Sequence, residues 1–489
     1  MKSRTILIFL SVTLVALFIL SRLFPSEGVD IGDVHLHFTD LPSIVESHQD
    51  PEKKDSVTAA SPMMDLKDSV LHYHRLVDSG ELRFWLPEPH YFDGFWQTVE
   101  HAREQGRTVR ILHYGDSQIE MDHITDRLRA YMQSNFGGGG PGMLPFQTTT
   151  PTFTVRQSNS GELVHLASFG DSLAVRSRGN YGPMMQSFRL EGGNATVTVK
   201  SSSNSHVDAR AKQFSRVRLI LNGHSATTVN VANLKVKNEH HESQYGKSGI
   251  KASDYAFDTC TSAFRVSVDG TADLYCLLVD DGYGVAVDNI PMRGCSGQQF
   301  TLVDEHKLSE AYGLMDVGMI IMQFGGNSVP YFKSEESIST YCRSIGKQID
   351  HVKKCCPEAR ILFIGPSDMS TRRKGEVQTY PMLPQLVDSL AATAIAHGAA
   401  YWSIYHAMGG RNSMVQWSRQ GLAGKDYIHF SQKGADKMGD NLAQAFDNSH
   451  VLYMLEQRLE KQKTVSVEKK TKASKGRKHG TKRKRGGRR

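Results

Sequence analysis

Little in this chain of 489 residues offers a metal ion or a nucleotide a ready-made site. The six cysteines, Cys260, Cys276, Cys295, Cys342, Cys355 and Cys356, contain no Cys-x-x-Cys pair, which argues against a zinc ribbon. Phe136-Gly-Gly-Gly-Gly-Pro-Gly142 is rich in glycine, but no Gly-Lys-Ser/Thr follows it, so it is not a nucleotide-binding P-loop. It reads as a flexible or tightly folded loop. Long apolar runs are missing apart from Thr5 to Leu20, which Lys2 and Arg4 precede. Neither a small-x-small cleavage site nor a lipoprotein cysteine follows it directly. The expectation is an uncleaved inner-membrane anchor over residues 1–24, with the N-terminus in the cytosol and the body in the periplasm, the alternative being a cleaved signal segment and an exported protein. Disulfides are allowed there. Cys260 and Cys276 could bridge neighbouring strands, whereas Cys355-Cys356 reads as two separate helix-end thiols.

Charge is unevenly placed. The net charge is +7, but Lys461 to Arg489 holds 14 Lys or Arg against one acid, Glu468, which leaves the rest of the chain at −6. A mildly acidic body therefore carries a basic tail, expected to be disordered over residues 461–489. Its run Lys482-Arg-Lys-Arg485 suits nucleic acid only in another compartment. On an exported protein it suits an anionic envelope polymer or lipid head groups.

Texture divides the remainder. Residues 25–64 are polar with scattered prolines and read as a spacer. Asp65–Val77 and Tyr91–Gln105 have helical spacing, and Val109–Tyr114 reads as a buried parallel strand. From Leu144 helical periodicity gives way to short strand-like runs, Ala263–Val268 and Ala272–Val279 among them. Asn222-Gly223 and Asp269-Gly270 are hairpin signals between them. From about residue 283 strands again alternate with helices. The fold class expected is α/β: a mostly parallel sheet flanked by helices in three layers, split into residues 65–143 and 283–460, with a β-sandwich over 144–282 inserted between. Within the insert, Glu239-His-His-Glu242 invites a metal reading, but a solvated loop is the plainer one.

Chemistry concentrates where strands end. Gly115-Asp116-Ser117 follows the Val109–Tyr114 strand and precedes a helical pattern of Ile119, Ile124, Leu128 and Tyr131. That would put Ser117 at a helix N-terminus as a nucleophile. A second Gly-Asp-Ser, ending at Ser172, lacks the helix. A serine hydroxyl needs a base, and His429 is the candidate, with Asp426 three residues earlier to orient it. Gly297 offers a backbone N–H and Asn327 a side-chain amide to a tetrahedral oxyanion.

Gly115-Asp-Ser117, Gly294-Cys-Ser-Gly297, Gly325-Gly-Asn327 and Asp426-Tyr-Ile-His429 stand in the order of the four signature blocks of the SGNH (GDSL-type) hydrolase superfamily, which the chain resembles. The resemblance implies Ser117, Asp426 and His429 as the triad, and Ser117 N–H, Gly297 N–H and Asn327 as the oxyanion hole. It implies no metal or organic cofactor. Two positions depart from the common pattern: Gln118 stands in place of Leu, and Ser328 in place of Asp. The layout is similar to peptidoglycan O-acetylesterases that carry a carbohydrate-binding-like β insert. The expected function is thus an O-acetylesterase of the cell envelope acting on a glycan, with the inner membrane as partner through the N-terminal run. The alternatives are an O-acetyltransferase using the same residues and a non-catalytic glycan-binding protein.

Overall fold

Successive side chains of a strand face opposite ways, so a strand apolar at every position must be covered on both sides. Val109 to Tyr114 meets that condition inside β3 (Thr108–Gly115), which is buried throughout. In the computed structural model, which describes residues 29–31, 34–36, 62–78, 84–170, 180–223, 228–232, 239–245 and 249–482, β3 is the second strand of a five-stranded parallel sheet. The order is β13 (Gly284–Pro291), β3, β14 (Val317–Gln323), β15 (Arg360–Gly365) and β18 (Ala400–Ser403). Met319 and Ile321 of β14 pack among Val99 of α2 (Asp93–Ala102), Leu128 of α3 (Thr125–Phe136) and Leu442 of α9 (Gln432–Lys482). Ile320 and Met322 face the other way. They pack among Leu308 of α4 (Glu305–Gly313), Ile345 of α5 (Glu335–Cys355) and Leu390 of α6 (Leu383–Ala396). The three-layer α/β arrangement is as expected. α4 carries no strong apolar stripe and was not anticipated, nor was the hairpin of β16 (Ser370–Arg373) and β17 (Glu376–Thr379).

The segment between β3 and β13 forms one nine-stranded antiparallel sheet. Its strands are β4 (Gly142–Leu144), β5 (Val155–Ser160), β6 (Val164–Ala167), β7 (Gln186–Ser201), β8 (Phe214–Gly223), β9 (Thr228–Ala232), β10 (Glu239–Tyr245), β11 (Ile250–Thr261) and β12 (Ala263–Asp280). The long β12 joins them: its first half pairs with β7 and β9, its second with β8 and β4. The sheet has its own core of Phe188, Val197, Phe214, Leu219, Phe264 and Val266. The turn expected at Asp269-Gly270 is instead a bulge within β12, opposite Gly192-Gly193 of β7. A glycine at positive φ serves a bulge as readily as a turn, and sequence does not separate the two. His240 and His241, expected in a loop, lie in β10 opposite Ala256 and Tyr255.

Two devices join the sheets. Arg110 of β3 is buried, and its guanidinium bonds Asp288 of β13 at 2.6 Å and Asp280, the last residue of β12. Arg216 of β8 reaches the same Asp280 at 2.8 Å and Thr108 at 3.0 Å. The glycine run is the second device, and it is tightly folded. At Gly140 a Cβ would stand 2.3 Å from the Val279 carbonyl oxygen, at a φ of +81°.

By internal contact, residues 1–65 form a separate unit, in which β1 (Val29–Ile31) pairs with β2 (Val34–Leu36). Helix α1 (Pro62–Asp78) covers the expected Asp65–Val77. The Thr5–Leu20 run and Ser172 lie outside the described residues. No helix among the described residues is long and apolar enough to cross a membrane. All six cysteines are unpaired, Cys260 and Cys276 included. The tail expected to be disordered from Lys461 is instead a continuation of α9 to Lys482. Proline is absent there, and Lys463 pairs with Glu460 one turn away at 2.5 Å.

Candidate active site

The β3, β14 and β15 strands end at the same edge of the sheet, and their following loops enclose a cavity of about 230 Å³. Ser117, Gln118, Asn327, Pro366, Ser367 and His429 are on its wall. Ligand sites of parallel sheets gather at this edge. Ser117 Oγ lies 2.9 Å from His429 Nε2, and His429 Nδ1 lies 2.7 Å from Asp426 Oδ2. The other oxygen of Asp426 accepts the N–H of Ile428 at 3.1 Å and of His429 at 3.2 Å. Burial alone would raise the Asp426 carboxyl. The His429 hydrogen bond and those two N–H groups outweigh it and hold the group below its ordinary value. A charged Asp426 fixes the imidazole with Nδ1 protonated, which leaves Nε2 free to take the proton of Ser117.

Ser117 does not begin an α-helix, as its sequence suggested. It begins a single 3₁₀ turn, Ser117–Ile119, and α3 starts only at Thr125. The delay has a physical cause. Met121, Asp122 and Ile124 adopt left-handed backbone, and Asp122 is tied down by Arg129 through hydrogen bonds of 2.5 and 2.9 Å. The Ser117 N–H still faces no intrahelical partner, as at any helical start.

Asn327 lines the cavity, but its Nδ2 is engaged twice, donating to Asp116 Oδ2 at 3.1 Å and to the Cys295 carbonyl at 3.0 Å. A primary amide has two N–H groups, so Asn327 meets an oxyanion only by sharing one. Gly297 is buried at a φ of +81°, where a Cβ would stand 2.7 Å from the Phe324 ring. Phe324 is on the cavity wall, while Gly297 is not.

Three contributors were not foreseen. Asp116 is buried, and its carboxyl is raised to about 6 by that burial, against the opposing pull of the Gln118 N–H, His429 and Asn327. It holds both the 3₁₀ turn, through Gln118 N at 3.0 Å, and Asn327. Gln118 donates to the Ile428 carbonyl at 2.6 Å and so ties the Ser117 turn to the His429 loop. Its departure from the Leu of the common pattern was the visible signal. Tyr331, also on the wall, is 77% exposed, an aromatic face presented to solvent beside the nucleophile. The hairpin of β16 and β17 braces the same loop, with Ser370 N donating to Tyr427 O at 3.1 Å.

The fold is similar to that of a solved esterase. Among solved structures, a peptidoglycan O-acetylesterase matches with a TM-score of 0.57 at 19% identity, over 75% of this chain and 99% of its own. A GDSL-like lipase from Parabacteroides merdae matches at 0.26 and 13% identity, over 34% of this chain and 74% of its own. A family two carbohydrate esterase from Cellvibrio japonicus matches at 0.24 and 9%, over 62% and 99%. Only the first is similar enough to support the shared fold. No family model and no curated protein matches the chain.

Proposed function

We propose that the chain is a serine esterase of the cell envelope that removes O-acetyl groups from a glycan, peptidoglycan foremost. The observation that carries this is the Ser117–His429–Asp426 relay opening on a cavity. Ser117 Oγ attacks the acetyl carbonyl carbon as its proton passes to His429 Nε2. Collapse of the tetrahedral intermediate breaks the bond to the sugar oxygen, which leaves with the proton from His429. Water then attacks the acetyl-serine and gives its proton to His429. Acetate departs, and Ser117 recovers its proton. The Ser117 N–H, the Gly297 N–H and the Asn327 amide are the oxyanion donors implied by the resemblance, and of these Ser117 and Asn327 are on the wall.

Two observations support a sugar ester and hydrolysis. Tyr331 offers an exposed ring at the cavity, suited to the apolar face of a sugar. The His429 and Asp426 side chains are each 47% exposed, so water reaches the base, which favours hydrolysis over transfer. The test is acetate release from O-acetylated peptidoglycan, with and without a free glycan acceptor. Release unaffected by the acceptor supports the proposal. Acetyl transfer without free acetate would make the chain a transferase, and release from acetylated xylan alone would overturn the peptidoglycan assignment.

The same reading places the Thr5–Leu20 run in the inner membrane and the basic end against anionic envelope polymer or lipid. Deleting Lys461–Arg489 is then expected to free the protein from envelope material in a salt-dependent way. Unchanged partitioning would oppose that role.

A further inference from the structure

One buried side chain outside the relay reaches both of the loops that meet at the Asn327 amide. Tyr341 stands nearly two turns into α5, whose start is fixed by the Ser334–Ser337 capping box. It is 6% exposed, and its hydroxyl lies 2.6 Å from the Ser296 carbonyl oxygen. A carbonyl oxygen only accepts, so the phenol proton is committed to Ser296. The phenol oxygen is left to accept, and it takes a hydrogen bond from the Ser328 side chain. The Tyr341 ring packs against Phe332, which ends the turn that carries Asn327, at 5.4 Å between centroids. Burial raises the phenol above its ordinary value, so it stays protonated and remains a donor.

The Ser296 carbonyl and the Gly297 N–H belong to one planar peptide unit and point in opposite directions. The bond at the Ser296 oxygen therefore sets the direction of the Gly297 N–H. A hydrogen bond accepted by the carbonyl also polarises the amide and strengthens its N–H as a donor. Gly297 is buried, yet among the described residues nothing accepts its N–H. Buried backbone donors without a partner are rare. This one lies in the turn that Asn327 touches, through Nδ2 and the Cys295 carbonyl at 3.0 Å. It also packs on Phe324, whose ring is on the cavity wall.

We propose, on the esterase reading above, that Tyr341 is a positioning residue for the oxyanion hole. It holds the Ser296–Gly297 peptide with its N–H toward the tetrahedral oxygen and keeps that turn in register with Asn327. The same geometry accounts for Ser328 in place of the common Asp. A carboxylate there would compete with Ser296 for the single phenol proton, whereas the serine hydroxyl donates.

The test compares the full chain with Tyr341→Phe, which removes only the hydroxyl, all values being taken per folded molecule. On a chromogenic acetyl ester kcat should fall roughly tenfold at unchanged KM, less than the ~10²–10³ lost with an oxyanion donor itself. Methylboronic acid supplies the second readout. Its boron bonds to Ser117 Oγ as the proton passes to His429, and the tetrahedral anion formed reports the oxyanion donors without turnover. Its affinity should weaken by the same factor as kcat. Tyr312→Phe removes another buried phenol, one bonded to Tyr114 at 3.0 Å, and should leave both values unchanged. Unchanged kcat and boronate affinity in Tyr341→Phe overturn the proposal, as does a loss confined to KM. An equal loss in Tyr312→Phe also overturns it, since the effect is then one of packing. If Tyr341→Phe does not fold, Ser328→Ala decides: a fall of about threefold in both values is expected, and no change overturns the proposal. An unmutated chain that turns over no acetyl ester ends the esterase reading and this role together, whereas turnover of the chromogenic ester without release from any glycan ends the glycan assignment alone.

Discussion

At the scale of single residues, the relay divides the labour in a way that mutation separates. Ser117→Ala should lower kcat by at least about 10³ while leaving the fold intact, since Ser117 is only half-buried and its hydroxyl bonds the base, His429. Gln118→Leu restores the residue common in such blocks but removes the tether to Ile428. It should lower kcat about tenfold with little change in KM, the value of one hydrogen bond of ~1.4 kcal/mol that positions the base. A loss confined to KM would contradict the positioning role. His113 supplies a pH dependence. It is buried between Gln323 at 3.0 Å and Thr125 at 2.9 Å, and burial lowers it from 6.5 to about 4. The unfolded chain therefore binds a proton at His113 first as pH falls. The stability that neutral His113 contributes is full above pH 6.5 and is lost between 6.5 and about 4. Denaturant unfolding of the wild type and His113→Gln should show the smaller slope with pH in the variant. Ser117, Asp426 and His429 were legible in the sequence because each sits beside a strand end or helix start with its neighbours in a short motif. Asp116, Gln118 and Tyr331 were not, because their roles depend on loops more than 200 residues away.

At the scale of elements, the parallel strands were legible from apolar runs bounded by turns, and most fall within a few residues of their expected limits. What failed was punctuation. Gly270 reads as a turn and is a bulge, and the helix expected at Ser117 starts about two turns late, at Thr125, with Asp122 bonded to Arg129. The glycine run after α3 is the clearest test of an element. Of the two readings open to it, flexible or tightly folded, contact with Val279 selects the second, so Gly140→Ala should destabilise the chain by roughly 2–4 kcal/mol through overlap and strain. Chemical denaturation measures this, and an unchanged midpoint would contradict the packing described.

At the scale of the whole molecule, the antiparallel sheet is joined to the parallel one by a buried charge cluster rather than by a linker. Neither Arg110 nor Asp280 announces itself in sequence, because a single charge in an apolar strand has no partner until the fold supplies one. Arg110→Met takes from buried Asp288 the guanidinium bonded to it and should cost about 3–5 kcal/mol, again read by denaturation. The union places the insert next to the Ser117 turn, where Thr154 of the insert bonds Asp122. The most direct test of the account is the rate of acetate release from a chromogenic acetyl ester by the full chain and by Ser117→Ala. Steady turnover by the first and none above background by the second is the predicted result. Turnover that persists in Ser117→Ala, or is absent from both, would contradict it.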